Sequence, residues 1–195
     1  MKVKVKHVDR ILDDFFKVDR ASIQFEKFDG TMSQEIVRLN LDRGDSVAAL
    51  IFNPEKQTVL LIKQFRYSIF TKDKKHAWSW EIVAGVIDEG QSPDQAILRE
   101  IMEEVGYQVH QLQLLFSFFP TPGGSNEVIY LYYAEVSTRD RIQKGGGLAH
   151  EGENIQVLEL PLKKALKMLE SGEIVDAKTI IALQWLKAKA AAQGA

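Results

Sequence analysis

The stretch from Ala84 to Tyr107 reads AGVIDEGQSPDQAILREIMEEVGY, a glycine-containing loop followed by a short amphipathic segment. At about 100° per residue of an α-helix, Glu100, Glu103 and Glu104 fall within one face. Each like-charged pair at this spacing costs roughly 0.2–0.5 kcal/mol, and a bound cation would remove that cost. Because divalent ions of the Mg²⁺ type take carboxylate oxygens as ligands, the pattern favours a metal site on one face of a helix.

A solvated charged face is the commoner origin of a glutamate-rich helix, and it is the alternative here. The surroundings favour the metal site. Ser92, Pro93 and Gln95 match an N-cap, a first-turn proline and the far end of a capping box, so the start of the helix is well specified. The acidic loop 84–90 can present backbone carbonyls beside the carboxylates. The apolar face of the helix is predicted to consist of Leu98, Ile101, Met102 and Val105.

The same stretch resembles the Nudix box, Gly-x5-Glu-x7-Arg-Glu-U-x-Glu-Glu-x-Gly-U, in which U is aliphatic or aromatic. One position departs, because Gln91 stands where the family has its first glutamate. A neutral amide adds no charge to a metal site and pairs less strongly with an arginine than a carboxylate does. Asp88 or Glu89 is the nearby acid that could compensate. The positions in register are Gly85, Arg99, Glu100, Ile101, Glu103, Glu104, Gly106 and Tyr107.

The resemblance implies a role for each charged residue of the box. Glu100 and Glu104 are the expected metal ligands, together with the backbone carbonyl of Ala84. Glu103 is expected to share an ion or to hold its waters. Arg99 would orient one of the glutamates through an ion pair, since a planar guanidinium suits that task; a surface salt bridge is its alternative. The expected cofactor is Mg²⁺, with Mn²⁺ possible, at two or three ions per site.

Length, charge and residue types limit the possible functions. A chain of 195 residues is enough for one substantial core, or for one domain with an extra lobe. A net charge of −2 gives no reason to expect a nucleic-acid partner. The absence of cysteine excludes disulfides and thiolate chemistry. With no apolar run near the roughly 18–20 residues that span a bilayer and no signal-like start, we expect a cytoplasmic protein without a membrane partner.

Residues 1–45 are predicted to form a small N-terminal β lobe. It holds too few apolar residues for a core of its own, so it should pack on the main domain or on a second subunit. The Asp29-Gly30 pair is a strong hairpin signal. By resemblance to ADP-ribose pyrophosphatases, the lobe is expected to take part in a homodimer and to contact the nucleotide base. Its strands are predicted at 2–6, 21–28 and 36–41.

Residues 46–195 are predicted to form the catalytic domain. SVAALIFN (46–53) and TVLLIKQF (58–65) are continuously apolar, which indicates strands buried on both faces and helices on either side of the sheet. The predicted fold class is α/β, a Nudix-type α/β/α sandwich with a mixed sheet plus the small antiparallel β lobe. Further strands are predicted at 78–83, 112–119, 128–136 and 155–160, and helices at 162–169 and from 177 to about 189.

The segment GLAHEGENIQV (147–157) resembles the loop that closes over substrate in ADP-ribose pyrophosphatases. On that match Glu151 is the expected catalytic base and Glu153 a metal-associated acid. A flexible lid that delivers a base only after substrate binds would limit unproductive chemistry. An ordinary acidic, glycine-rich surface loop is the alternative.

The substrate class is inferred mainly from similarity. SFFPTPGG (117–124) carries a proline, Pro122, about fifteen positions past the box, as the ADP-ribose pyrophosphatase subfamily does. The stretch LELPLKKALKMLESGEIVDAKT is similar both to that subfamily and to GDP-mannose pyrophosphatases. These resemblances imply metal-dependent hydrolysis of the diphosphate of ADP-ribose or a related nucleoside diphosphate sugar, giving a nucleoside monophosphate and a sugar phosphate.

Three alternatives stay open: a preference for GDP-mannose or another hexose, a preference for nucleoside triphosphates, and a catalytically weak Nudix domain that senses a nucleotide. Gln91 is the feature that favours the sensor. Arg66 is expected near the substrate because its charge suits a phosphate, and Phe25 or Phe28 is expected to stack on the base. The expected substrate-binding residues are Arg66, Glu81, Phe28, Pro122 and Gly123.

Overall fold

The computed structural model of the protein describes residues 1–148, 152 and 154–193. No helix in this part of the chain combines the length and the apolar character needed to cross a membrane. The chain forms two compact units, which consist of Met1–Asp45 with Phe118–Ile129, and of Ser46–Ser117 with Tyr130–Ala195.

The first unit is built on a three-stranded antiparallel sheet with its second strand in the centre. The turn before the third strand contains Gly30 at a φ of 82°, a conformation that favours glycine, as the Asp29-Gly30 signal predicts. The backbone N–H of Leu41 donates to the carbonyl of Gly124 at 2.8 Å, so the proline- and glycine-containing loop joins this unit. The strands are β1 (Val3–Asp13), β2 (Lys17–Phe25) and β3 (Ile36–Asp42), the first of them longer than predicted.

The second unit is built on a seven-stranded sheet whose main path runs β10-β5-β4-β9-β8, with β6 paired to β5 and β7 paired to β4. The strands are β4 (Ser46–Asn53), β5 (Thr58–Phe65), β6 (Trp78–Glu81), β7 (Val83–Val86), β8 (Gln113–Phe118), β9 (Ile129–Glu135) and β10 (Gln156–Pro161). The helices are α1 (Tyr67–Phe70), α2 (Pro93–Val105), α3 (Leu162–Glu170) and α4 (Ala177–Gln193), with short 3-10 turns at Lys74–His76 and Thr138–Asp140.

Strand β4 lies at the centre of the hydrophobic core. All eight of its residues are buried, as its continuously apolar sequence predicts. Val47 and Ile51 pack in one cluster with Ile97 and Ile101 of α2, while α4 also contacts β4. The predicted α/β fold with a mixed sheet and a small antiparallel β sheet is confirmed.

Candidate active site

Helix α2 begins and ends where local signals place it. The Ser92 hydroxyl accepts a hydrogen bond from the backbone N–H of Gln95 at 3.3 Å, and the Gln95 side chain accepts one from the N–H of Ser92 at 3.0 Å. Pro93 occupies the first turn, and Gly106 ends the helix in the left-handed conformation at a φ of 75°. These caps fix the first and last residues of α2.

The buried stripe of α2 differs from the predicted one. Ile97, Glu100, Ile101 and Glu104 follow the i, i+3, i+4, i+7 spacing of a core-facing stripe, and all four are buried. Glu100 is 8% exposed and Glu104 is 1% exposed. The prediction that Leu98 belongs to the apolar face was wrong, because this side chain is 40% exposed. The two glutamates therefore occupy positions that a purely structural helix would give to apolar residues.

The carboxylates of Glu100 and Glu104 both lie against the backbone of strand β7. The N–H of Ala84 donates to Oε2 of Glu104 at 3.2 Å. The carboxylate of Glu100 lies directly over Gly85, in the space that a Cβ atom on residue 85 would fill. The expected metal-binding residues Ala84, Glu100 and Glu104 are thus brought together by the packing of α2 on β7.

Arg99 bridges the loop before α2 to the helix itself. Its Nη2 lies 2.9 Å from Oε1 of Glu100 and 3.1 Å from Oδ2 of Asp88, and it also donates to the carbonyl of Val86 at 3.3 Å. Its Nη1 lies 3.0 Å from Oε2 of Glu103. Burial alone would lower the pKa of Arg99, but the charges of Glu100, Glu103 and Asp88 raise it. Arg99 is therefore a permanent cation among three carboxylates.

The paired carboxylates fit a divalent cation. Two like charges at i, i+4 on a buried stripe are unfavourable, and the single Arg99 cation is shared among Asp88, Glu100 and Glu103. Mg²⁺ is usually held by one or two carboxylates, with waters and substrate phosphates completing its shell. No group of three or more histidine, aspartate or glutamate side chains that could hold a metal occurs among the described residues. A site made of Glu100, Glu104 and the Ala84 carbonyl matches the low carboxylate number of a magnesium site.

A second charged cluster lies at the end of β6. Glu81 is buried, and Arg66 grips it with two parallel hydrogen bonds, from Nε to Oε1 at 2.9 Å and from Nη2 to Oε2 at 2.8 Å. Lys178 of α4 donates to the same Oε2 at 2.6 Å and to Oδ1 of Asp176 at 2.9 Å. Asp176 also accepts from the N–H of Thr179 at 2.9 Å, which fixes the first turn of α4. Three chain segments therefore converge on one carboxylate.

The electrostatics of this cluster keep Glu81 ionised. Burial alone would raise the pKa of Glu81, but the hydrogen bonds from Arg66 and the charge of Lys178 outweigh it and lower the pKa to about 2. Burial likewise disfavours the Arg66 cation, yet its pKa is raised by Glu81 and, through space, by Glu104. The positive charge of Arg66 is therefore stabilised by Glu81 of β6 and by Glu104 of α2.

The other predicted site residues lie elsewhere. Phe28, Pro122 and Gly123 belong to the first unit, where Phe28 is 98% exposed. The predicted base Glu151 and the predicted metal-associated Glu153 lie outside the described residues. The roles of all five residues stay predictions.

Lys178 and Asp176 are members of the charged cluster that the sequence interpretation missed. Their stretch, Asp176-Ala177-Lys178-Thr179, reads as an ordinary helix start in which an aspartate caps the first turn. Lys178 and Glu81 are 97 positions apart in the chain, so no local sequence pattern links them. Only the packing of α4 beside β6 brings them into contact.

Comparison with known proteins defines the class to which this fold and site belong. The NUDIX domain family matches residues 42–190, most of the chain. The chain therefore belongs to the Nudix family and is a Nudix hydrolase. Enzymes of this family generally use divalent metal cations.

Particular relatives narrow the comparison. The chain is 37% identical over 183 residues to a protein named GDP-mannose pyrophosphatase from Escherichia coli O157:H7, and the match covers 92% of each chain. The proteins of the same name from Shigella sonnei and Shigella boydii match with the same identity and the same coverage. The similarity thus extends beyond the family segment into the N-terminal strands.

Proposed function

We propose that this Nudix hydrolase cleaves the diphosphate linkage of a nucleoside diphosphate sugar, releasing a nucleoside monophosphate and a sugar phosphate. GDP-mannose is the first candidate substrate, because relatives that match 92% of the chain carry the name GDP-mannose pyrophosphatase. ADP-ribose, the leading candidate from sequence resemblance, is the second. The observation that carries the proposal is the pair of buried carboxylates, Glu100 and Glu104, held against β7 beside Arg99.

Diphosphate hydrolysis needs charge neutralisation, a positioned water and a base. A divalent cation, when bound, neutralises phosphate charge and acidifies a coordinated water. In our proposal Glu100, Glu104 and the Ala84 carbonyl hold that cation, which we take to be Mg²⁺, and Glu103 holds waters beside it. Arg99 keeps the carboxylates of Glu100 and Glu103 in place through its two Nη atoms.

The chain's own residues also provide contacts for the substrate. Arg66 is oriented by its paired hydrogen bonds to Glu81, so its positive charge is fixed and suited to a phosphate oxygen. The proposed base is Glu151, with Glu153 as an additional metal-associated acid; both assignments rest on the resemblance of segment 147–157. Phe28, Pro122 and Gly123 are proposed to contact the nucleotide.

A substrate panel tests this function directly. Purified protein is incubated with Mg²⁺ or Mn²⁺ and GDP-mannose, ADP-ribose, other nucleoside diphosphate sugars or nucleoside triphosphates, and the products are resolved by chromatography. We expect a monophosphate and a sugar phosphate in equal amounts, with the highest kcat/KM for GDP-mannose. Tight nucleotide binding without turnover of any compound would instead favour the sensor, to which Gln91 points.

The close approach of Glu100 to Gly85 yields a first prediction. In Gly85→Ala the new methyl group overlaps the Glu100 carboxylate, which must rotate away because the strand backbone is held by β4. We expect kcat to fall about 10- to 100-fold, since displacing a positioned group by roughly 1 Å has effects of this size. The melting temperature should fall only modestly, because the closest overlaps are with the Glu100 side chain from Cγ outward and not with backbone atoms.

Gly124→Ala is the matched control, because nothing lies within 4 Å of a Cβ atom at that position. Turnover and melting temperature of the control should both equal those of the wild type. An unchanged kcat in Gly85→Ala would show that the position of Glu100 over β7 does not matter for turnover.

We infer further that the first unit forms a homodimer interface. Strand β1 is the edge of its sheet, it is exposed along its whole length, and Val3, Val5 and Val8 are each more than half exposed. Val3, Val5 and Val8 pair with residues on one face of β2, and charged residues separate them along the strand, so β1 has one exposed apolar face. An exposed edge strand with such a face can associate with another chain unless it is covered. A second copy of this chain is the proposed occupant, as the resemblance to ADP-ribose pyrophosphatases implies.

Sedimentation velocity tests the dimer. Val5→Lys should shift the protein from dimer to monomer at micromolar concentration, because it places a charge in the middle of the apolar face of β1. Val175→Lys, at a partly exposed position of the second unit, should leave the dimer intact. A wild-type chain that sediments as a monomer at all concentrations would contradict the inference.

A further inference from the structure

The loop between β7 and α2 contributes a carboxylate that the box pattern does not assign. Asp88 Oδ2 and Glu100 Oε1 bind the same atom, Nη2 of Arg99, at 3.1 and 2.9 Å. The carbonyl of Val86 accepts from this nitrogen at 3.3 Å. Asp88 and Val86 therefore fix the place of the nitrogen that holds Glu100.

The neighbouring Gln91 does not share this task. Its Oε1 is buried and has no hydrogen-bond partner within the described residues, and the same holds for Nε of Arg99. A buried polar atom without a partner typically costs about 1–3 kcal/mol, so both atoms mark a local defect. The backbone N–H of Gln91 does contribute, because it donates to the carbonyl of Asp88 at 3.0 Å and closes a tight turn. The backbone at residue 91 thus positions Asp88, while its side chain is left unsatisfied.

The geometry distinguishes Asp88 from the other nearby acid. Glu89 is exposed, and the described structure shows no ion pair between it and Arg99. The Asp88 side chain is also largely exposed, yet its oxygen is within ion-pair distance of Arg99. The two acids therefore differ in what they contact and are alike in charge and in their place on the loop.

We propose that Asp88 is a positioning residue that holds the Glu100 carboxylate in its metal-binding orientation by way of Arg99. By the resemblance to the Nudix box, this is the part that the family's first glutamate, here replaced by Gln91, would play. The expected change in kcat rests on the proposed function, whereas the expected change in metal affinity does not depend on the substrate. Orienting partners of metal ligands typically change metal affinity or activity by about 10- to 100-fold when they are removed.

The test compares Asp88→Asn with Glu89→Gln, which removes the same charge from the same loop. Mn²⁺ affinity is measured by calorimetry without substrate, and kcat and KM are measured with the nucleotide sugar that the panel identifies. Because Asp88 is largely exposed, its effect should lie below the range typical of orienting partners: Asp88→Asn should weaken Mn²⁺ binding and lower kcat about three- to fivefold, with KM changed by less than about twofold. Glu89→Gln should match the wild type in all three, and the melting temperatures of both apo-proteins should be unchanged.

Rescue separates positioning from a general effect of charge. Gln91→Glu offers Arg99 a carboxylate at the box position, so it should restore most of the metal affinity and kcat in the Asp88→Asn background. Gln91→Glu alone should change little, because Asp88 already fills the role. Equal behaviour of Asp88→Asn and Glu89→Gln, or failure of the rescue, would overturn the assignment. A wild type that binds Mn²⁺ but cleaves no nucleotide sugar would contradict the proposed function, while the Mn²⁺ affinities would still decide the role of Asp88.

Discussion

Replacing Glu104 by glutamine should abolish most turnover while leaving the fold intact. The amide can still accept the hydrogen bond from the N–H of Ala84, so the packing of α2 on β7 is kept. What is lost is one of two negative charges on a buried stripe. If metal-assisted charge stabilisation is worth about 4 kcal/mol in the transition state, kcat should fall about 1,000-fold.

The same variant makes a second prediction, about stability. In the apo-protein the amide keeps the hydrogen bond from Ala84, and removing one of two like charges at i, i+4 offsets the loss of attraction to nearby cations such as Arg66, so the melting temperature should change little. Stabilisation by added Mn²⁺ should be much smaller than in the wild type, because the protein binds the ion less tightly. Scanning calorimetry with and without Mn²⁺ measures both effects.

Glu170→Gln is the control for these measurements. Glu170 is an exposed helical glutamate of α3 that pairs with Lys187 on the surface. Its replacement should change neither kcat nor the stabilisation by Mn²⁺. Turnover near the wild-type rate in Glu104→Gln would refute the assignment of α2 as the metal-binding helix.

Glu81→Gln should lower the free energy of unfolding at neutral pH by about 3 kcal/mol. The substitution leaves Arg66 and the buried Lys178 without their shared counter-charge, and breaking a buried ion pair in this way is strongly destabilising. The pKa of Glu81, which is lowered from its ordinary value of 4.5 to about 2, has the same sign, because folding favours the charged carboxylate. We also expect KM to rise, because Arg66 loses the partner that orients it.

The contribution of Glu81 to the free energy of unfolding depends on pH with a definite sign. A carboxyl group whose pKa is lowered by folding stabilises the native state fully above its unfolded-state pKa, and this contribution disappears as the pH falls through the folded-state pKa. For Glu81 the loss runs from about pH 4.5 down to about pH 2. Urea unfolding at a series of pH values should therefore show the wild type and Glu81→Gln converging across this window.

Glu159→Gln provides the comparison for the buried cluster. Glu159 pairs with Lys56 at 3.3 Å, and both side chains are partly exposed. Surface pairs of this kind are worth about 0–1 kcal/mol, so the variant should unfold at nearly the wild-type urea concentration. If Glu81→Gln were no more destabilised than Glu159→Gln, the buried cluster would have no special role in stability.

The substrate class was predicted by resemblance, and the relatives agree with it at the level of a nucleoside diphosphate sugar. The relatives carry the name GDP-mannose pyrophosphatase, whereas several sequence segments resemble ADP-ribose pyrophosphatases, and the base and sugar that this chain prefers stay predictions. The cytoplasmic location, the identity of Mg²⁺ and the homodimer stay predictions.

Local features of the fold can be predicted from short stretches of sequence. The start of α2 follows from Ser92, Pro93 and Gln95, and its end follows from Gly106, because caps depend on residues within one turn of each other. The burial of β4 on both faces was likewise predicted from its continuously apolar sequence. Each of these features is set by neighbours in the chain, so a pattern of a few residues is enough to predict it.

Contacts between charged side chains of distant segments depend on tertiary packing. Periodicity gave the spacing of the glutamates on α2 but left open which side of the helix would be covered; packing on β7 buries Glu100 and Glu104 and leaves Leu98 outside. The same packing selects Asp88 over Glu89 as the partner of Arg99. Lys178 meets Glu81 only because α4 lies beside β6. Contacts between distant segments depend on how whole elements pack, and no local pattern of residues encodes them.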